Sequence, residues 1–190
     1  STKRGRWMKV ITDWKILRNK VEEEFDFDNP QIDPKEFKEI IIDAMWENSG
    51  LGISANQIGY NFRVFAMRGE TKKDSVVCFN PEIKTFSDNM NTMEEGCLSV
   101  PECFVKVVRP AEVSISYLNE KRKKEGQLAT GLTARVFQHE LDHLDGITML
   151  DRVGTFTARY AQDKARKRLK AVSRGKPVKP KFALWQNIFM

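Results

Sequence analysis

Between Asp33 and Gly50 the apolar residues recur every three to four positions, so that Phe37, Ile40, Ile41, Ala44 and Met45 fall on one face of a helix. Asp33 stands where an N-cap belongs, Pro34 suits the first helical position, and Asn48 to Gly50 end the element. "GLGISANQIG" then reads as a glycine-bearing turn. "RVFAM" and "SVVCF" are short apolar runs, the mark of buried strands, and Asn80-Pro81 is expected to turn the chain. "EVSISYL" alternates as a strand with one wet face does, and the lysine-rich "NEKRKKEG" after it reads as a solvated hairpin or loop. Helical spacing returns from about Leu132 to Asp145, with Gly146 as the stop, and again from about Thr155 to Val172. The last helix has a narrow stripe of Ala158, Ala161, Ala165, Leu169 and Val172 on an otherwise basic surface. Strands with helices placed around them predict an α+β fold.

At 190 residues the chain suits one domain with a substantial core. The reading places a single catalytic unit over 8–174, a flexible extension over 1–7 and a tail over 175–190 whose end, "FALWQNIFM", packs back on the body or meets a partner. No apolar run is long enough to span a bilayer, and "STKRGRWMKV" lacks the apolar stretch of a secretory signal. Three cysteines, Cys78, Cys97 and Cys103, do not make a disulfide framework, so reduced thiols and a cytoplasmic setting are expected. Cys78, in a strand-like run, reads as a small core hydrophobe. The net charge of +6 is concentrated: 159–181 holds ten Lys or Arg against Asp163, and the remainder is mildly acidic. A basic tail on an acidic body points to a polyanionic neighbour at one end, or to a solvated basic helix with no partner.

The chemistry concentrates in "VFQHELDHLDGITM". Four residues apart on a helix, His139 and His143 share a face and can hold one metal ion, with Glu140 beside it as a base. They are the only histidines in the chain. The face is continued by Leu132 and Val136, which predicts an apolar pocket beside the metal, with Met93 either part of its wall or ordinary core. A third ligand is still needed. The metzincin continuation H-x-x-G-x-x-H meets Met149 where histidine is required, and no glutamate follows Glu140. Upstream, "EEGCLSVP" places Cys97 after Gly96, which lets the backbone approach closely. Thiolate plus two imidazoles leaves one position open for water. One more buried thiol is the alternative for Cys97; its polar flanks and the lack of another donor favour ligation.

With "GLGISANQ", "EGCLS" and "QHELDH" in this order, the chain from about Leu17 to Arg152 resembles the peptide deformylase family. Ile53 and Ser54 stand where that family's commonest first motif has Leu and Ala, a change expected to touch fine substrate preference. The resemblance implies antiparallel β-sheets packed around a central helix bearing the histidines, with a C-terminal helix. It implies hydrolysis of the N-formyl group from the N-terminal methionine of newly made polypeptides. It assigns Cys97, His139 and His143 as ligands of Fe²⁺, with Zn²⁺, Ni²⁺ or Co²⁺ able to substitute. Glu140 is the proton carrier, and the Gln57 amide and Leu98 N–H are oxyanion donors. The peptide is expected to lie as an added strand against Gly50, Leu51, Gly52 and Gly96, its methionine filling the pocket by Leu132 and Val136. Glu95 and Gln138 read as groups supporting the ligands. In bacterial members a basic C-terminal helix docks on the ribosome, which nominates Arg166, Lys167, Arg168 and Lys170. A monomer with no membrane contact is expected. The competing readings are an HExxH metalloprotease and a non-enzymatic ribosome-binding protein with a structural metal.

Overall fold

The computed structural model describes residues 8–175. The expected 1–7 extension and the apolar end of the tail lie outside the described residues. The elements run α1 (Trp14–Leu17), α2 (Pro34–Glu47), β1 (Gly52–Ser54), β2 (Val64–Met67), β3 (Val76–Phe86), β4 (Met90–Cys97), β5 (Val100–Pro110), β6 (Glu112–Leu118), β7 (Lys124–Thr130), α3 (Gly131–Leu144) and α4 (Thr155–Ser173). Short 3₁₀ turns cover Ala55–Ile58 and Met149–Arg152.

Two antiparallel sheets form, one ordered β1-β2-β3-β6-β7 and the other a β4-β5 ribbon. The apolar runs of β2 and β3 follow from the first sheet being covered on both faces. Val64, Ala66, Val77 and Phe79 turn toward α2 and join Phe37, Ile41 and Met45. Phe65, Met67 and Cys78 turn the other way and join Ala134, Phe137 and Leu144 of α3. Each large side chain buried this way contributes about 1.5–3 kcal/mol. Helix α2 starts as the sequence predicts: the Asp33 carboxylate accepts from the Lys35 and Glu36 amides at 2.9 and 3.0 Å.

Several expectations are corrected. Asn80-Pro81 does not turn the chain; it sits inside β3, where the register to β6 shifts between Phe79 and Glu82. Asn80 has φ 50°, and its side chain exchanges hydrogen bonds with the Phe25 main chain at 2.7 and 3.1 Å, so a bulge accommodates the proline. "GLGISANQIG" is a short edge strand running into a 3₁₀ turn rather than a glycine turn alone. The stripe on α4 is buried only at Ala161 and Ala165, against Cys103 and Val105 of the ribbon, whereas Leu169 and Val172 remain exposed. The "NEKRKKEG" segment, by contrast, forms the expected hairpin, its second half entering β7.

Candidate metal centre

Cys97 is the last residue of β4, at an irregularity in the ribbon between Gly96 and Cys97. His139 and His143 project from the inner face of α3. The Cys97 Sγ to His143 Nε2 distance is 3.1 Å and the two histidine Nε2 atoms are 3.2 Å apart. All three donor atoms lie within 4.8 Å of one another. Metal bonds of about 2.0–2.3 Å at tetrahedral angles would space such donors about 3.3–3.6 Å apart, so the residues fit a metal with only slight adjustment.

Electrostatics fit as well. Burial alone would raise the Cys97 thiol, but the adjacent His143 and His139 outweigh it and hold the group well below its ordinary range, in the thiolate form a metal requires. His139 donates its Nδ1–H to Glu95 Oε2 at 2.9 Å, which leaves Nε2 facing the cluster. Burial would lower His139, yet Cys97 and Glu95 together carry it well above the usual imidazole range. Burial raises Glu140 to about 7, against the pull of His139 and His143. Its Oε2 is buried and has no hydrogen-bond partner among the described residues. Gly52 packs directly beneath it: a Cβ there would meet Glu140 Oε1 at 2.6 Å.

Gln57 is oriented by its neighbours. Its Oε1 accepts from Ser54 N at 2.9 Å and Ser54 Oγ at 3.0 Å, so Nε2 points the other way, to Ser99 Oγ at 2.9 Å and toward Cys97 Sγ at 3.8 Å. Ser54 is fully buried and turned away from the cavity. Its main chain and hydroxyl orient the Gln57 amide. The sequence singles out Ser54 as a hydroxyl where the family has alanine but not its hold on Gln57, and Ser99 carries no local signal of its contact with Gln57.

A larger omission is the buried ion network behind His139. Glu95 accepts from Arg109 Nε at 2.6 Å and from Arg135 Nη1 at 2.8 Å. Arg109 continues to Asp142 at 2.7 Å, and Arg152 closes on the same carboxylate at 2.9 Å. Burial would raise Glu95, but the hydrogen bonds from His139 and Arg109 hold it well below the carboxylate range. Gln138, expected beside the ligands, instead donates to Pro110 O and Ala134 O, both at 3.0 Å, and fastens α3 to the end of β5.

A cavity opens in front of the cluster. Gly50, Leu51 and Gly52 form one wall, Gly96, Cys97 and Leu98 the other, and Leu132, Val136 and His139 the floor, with Gln57, Glu95 and Glu140 reaching in. Arg135 also lines it, though the exposed lining is mainly apolar. Met93 does not line it. Of the basic residues nominated on α4, Arg166, Lys167 and Lys170 face outward, whereas Arg168 turns inward to Glu102 of β5 at 2.8 Å.

A buried thiolate and two imidazoles of this geometry, with a buried, unpartnered carboxylate beside them at a cleft, belong to the class of metal-dependent hydrolases. Comparison with known proteins narrows the class. The chain belongs to the peptide deformylase family, whose model, polypeptide deformylase, matches residues 8–159. It is 39% identical over 129 residues to the peptide deformylase of Picosynechococcus, spanning 66% of this chain and 69% of that one. A probable peptide deformylase from Synechococcus phage S-SSM7 superposes with a TM-score of 0.67 at 35% identity, covering 77% of this chain and 99% of the phage chain. The Synechococcus elongatus peptide deformylase in complex with actinonin gives 0.74 at 27% identity, over 87% and 88% of the two chains. The enzyme is thus a deformylase of formylated peptide N-termini, and its family implies a catalytic divalent metal. Among the described residues no helix is long and apolar enough to cross a membrane.

Proposed function

We propose that Cys97, His139 and His143 hold the catalytic metal and that Glu140, Gln57 and Leu98 carry out deformylation around it. The observation that carries this reading is the convergence of three donor atoms beside the unpartnered Glu140 Oε2. When bound, the metal supplies Lewis-acid activation of a water and of the formyl oxygen. Glu140 takes the proton of the attacking water and delivers it to the leaving amine. The Gln57 Nε2 amide, fixed by Ser54, and the Leu98 N–H at the ribbon's turn donate to the oxyanion; such donors contribute about 3 kcal/mol each.

The peptide enters as a strand. β1 is an edge strand of its sheet and lies across the cavity from Gly96 of the ribbon. Main chain at Gly50, Leu51, Gly52 and Gly96 would bind it on both sides, with the methionine side chain over Leu132 and Val136. Glu95 orients His139. Fe²⁺ is the proposed native ion, with Zn²⁺, Ni²⁺ or Co²⁺ substituting, as a thiolate–imidazole set allows. Anaerobic iron-loaded protein is expected to release formate from formyl-Met peptides and leave internal peptide bonds intact. Cleavage of internal bonds without formate release would instead establish the metalloprotease reading.

The outward face of α4 supports ribosome docking through Arg166, Lys167 and Lys170. Co-sedimentation with ribosomes at moderate salt should be lost on truncation at about Arg159; retained binding would exclude this surface.

A further inference from the structure

A second cavity opens beyond Leu51, Leu132 and Val136, residues it shares with the catalytic one. Arg68 lines it, with Tyr117 and Gln127. Arg68 is tied into the active-site wall at both ends. Its N–H donates to Leu51 O at 2.8 Å and its Nη1 to Gly50 O at 3.3 Å. The guanidinium lies 3.5 Å from the Trp46 ring centroid, and Trp46 is itself anchored by Nε1 donating to Ser75 Oγ at 3.1 Å. The other arginines held within the body face carboxylates: Arg63 has Asp145, and Arg109 and Arg135 have Glu95. Among the described residues no carboxylate pairs with Arg68, and burial pulls its pKa down with no acidic neighbour to offset it.

Side chains of an extended peptide alternate, so the third returns to the side of the first, about 6.6 Å further on. The first side chain lies over Leu132 and Val136, and the second cavity continues from that same floor. We propose that this cavity is a subsite for the third residue of the formylated peptide and that Arg68 selects an acidic side chain there. The inference rests on the deformylase reading, because it concerns the path of the same substrate.

The test uses the metal-loaded enzyme and C-terminally amidated peptides, so that the only carboxylate is a side chain. Formyl-Met-Ala-Glu-Ser is expected to exceed formyl-Met-Ala-Gln-Ser in kcat/KM by about tenfold. Moving the pair to position 2 should remove the preference. Arg68→Gln should bring the Glu/Gln ratio near one, and Arg68→Lys should retain most of it. The same ratio should appear in the Kd of the unformylated peptides, which needs no turnover. A wild-type ratio near one, a ratio surviving Arg68→Gln, or a preference at position 2 overturns the subsite. If the Kd ratio holds but no formate is released, the subsite stands and the catalytic reading fails.

Discussion

Glu140→Gln lowers formate release from formyl-Met peptides by about 10²–10⁴-fold while the protein keeps its metal. The amide has the same shape, so it fits over Gly52, where the structure leaves no room for a Cβ. It cannot hold a proton. The wild-type carboxylate is raised by burial to about 7 against the pull of two histidines. A bound cation adds to that pull, so the acid limb of kcat/KM lies at or below about pH 7, rising with pH as Glu140 ionises. The limb should be absent from the residual activity of the variant. Steady-state rates with metal analysis decide it: a variant within tenfold of wild type would remove Glu140 from the proton path. A metal of purely structural role predicts no loss.

The second large effect is on stability. Glu95→Gln should cost about 3–5 kcal/mol at neutral pH, because it leaves Arg109 and Arg135 buried without their shared carboxylate. Glu95 is held below its reference value of 4.5 in the folded state. Its stabilisation is therefore present above about pH 4.5 and fades as pH falls through the lower folded value. Urea midpoints of wild type and variant should be far apart at about pH 7, and the gap should be narrower at about pH 3.5 without closing. A small gap of equal size at both pH values would mean that the network is not what holds ribbon and helix together.

The parts of the fold legible in the sequence were those with a periodic apolar face. Helix α2 announced itself through Asp33, Pro34 and a regular stripe, and β2 and β3 through unbroken apolar runs. The ribbon was not recognised as paired strands, because β4 buries Glu95 where a strand usually buries a hydrophobe, and β5 buries Arg109. A polar residue turned inward breaks the alternation that marks a strand. The position of the donors in the chain was readable from chemistry: two histidines four apart and a cysteine after a glycine. Their support was not. Arg135 stands one helical turn before His139, but its pairing with Glu95 joins residues 40 apart in sequence. Asp142 lies between the histidines, and nothing local distinguishes it from a solvent-facing acid on a helix. Gln138, adjacent to a ligand in sequence, points elsewhere because neighbours along a helix diverge by about 100°.

Among the described residues the ribbon pairs with no strand of the larger sheet. Its polar contacts to α3 include Cys97, Glu95 and Arg109 as well as the Asn91, Val107 and Pro110 carbonyls, so the reactive centre is part of a joint between ribbon and helix. A joint of this kind couples chemistry to mechanical integrity. Any excursion that lifts the ribbon takes the sulfur away from the imidazoles and exposes two carboxylates and two guanidiniums at once. Parting the ribbon from α3 would therefore disturb the groove and the catalytic residues together. A gap walled by such a joint favours a thin, unfolded chain end over any folded surface.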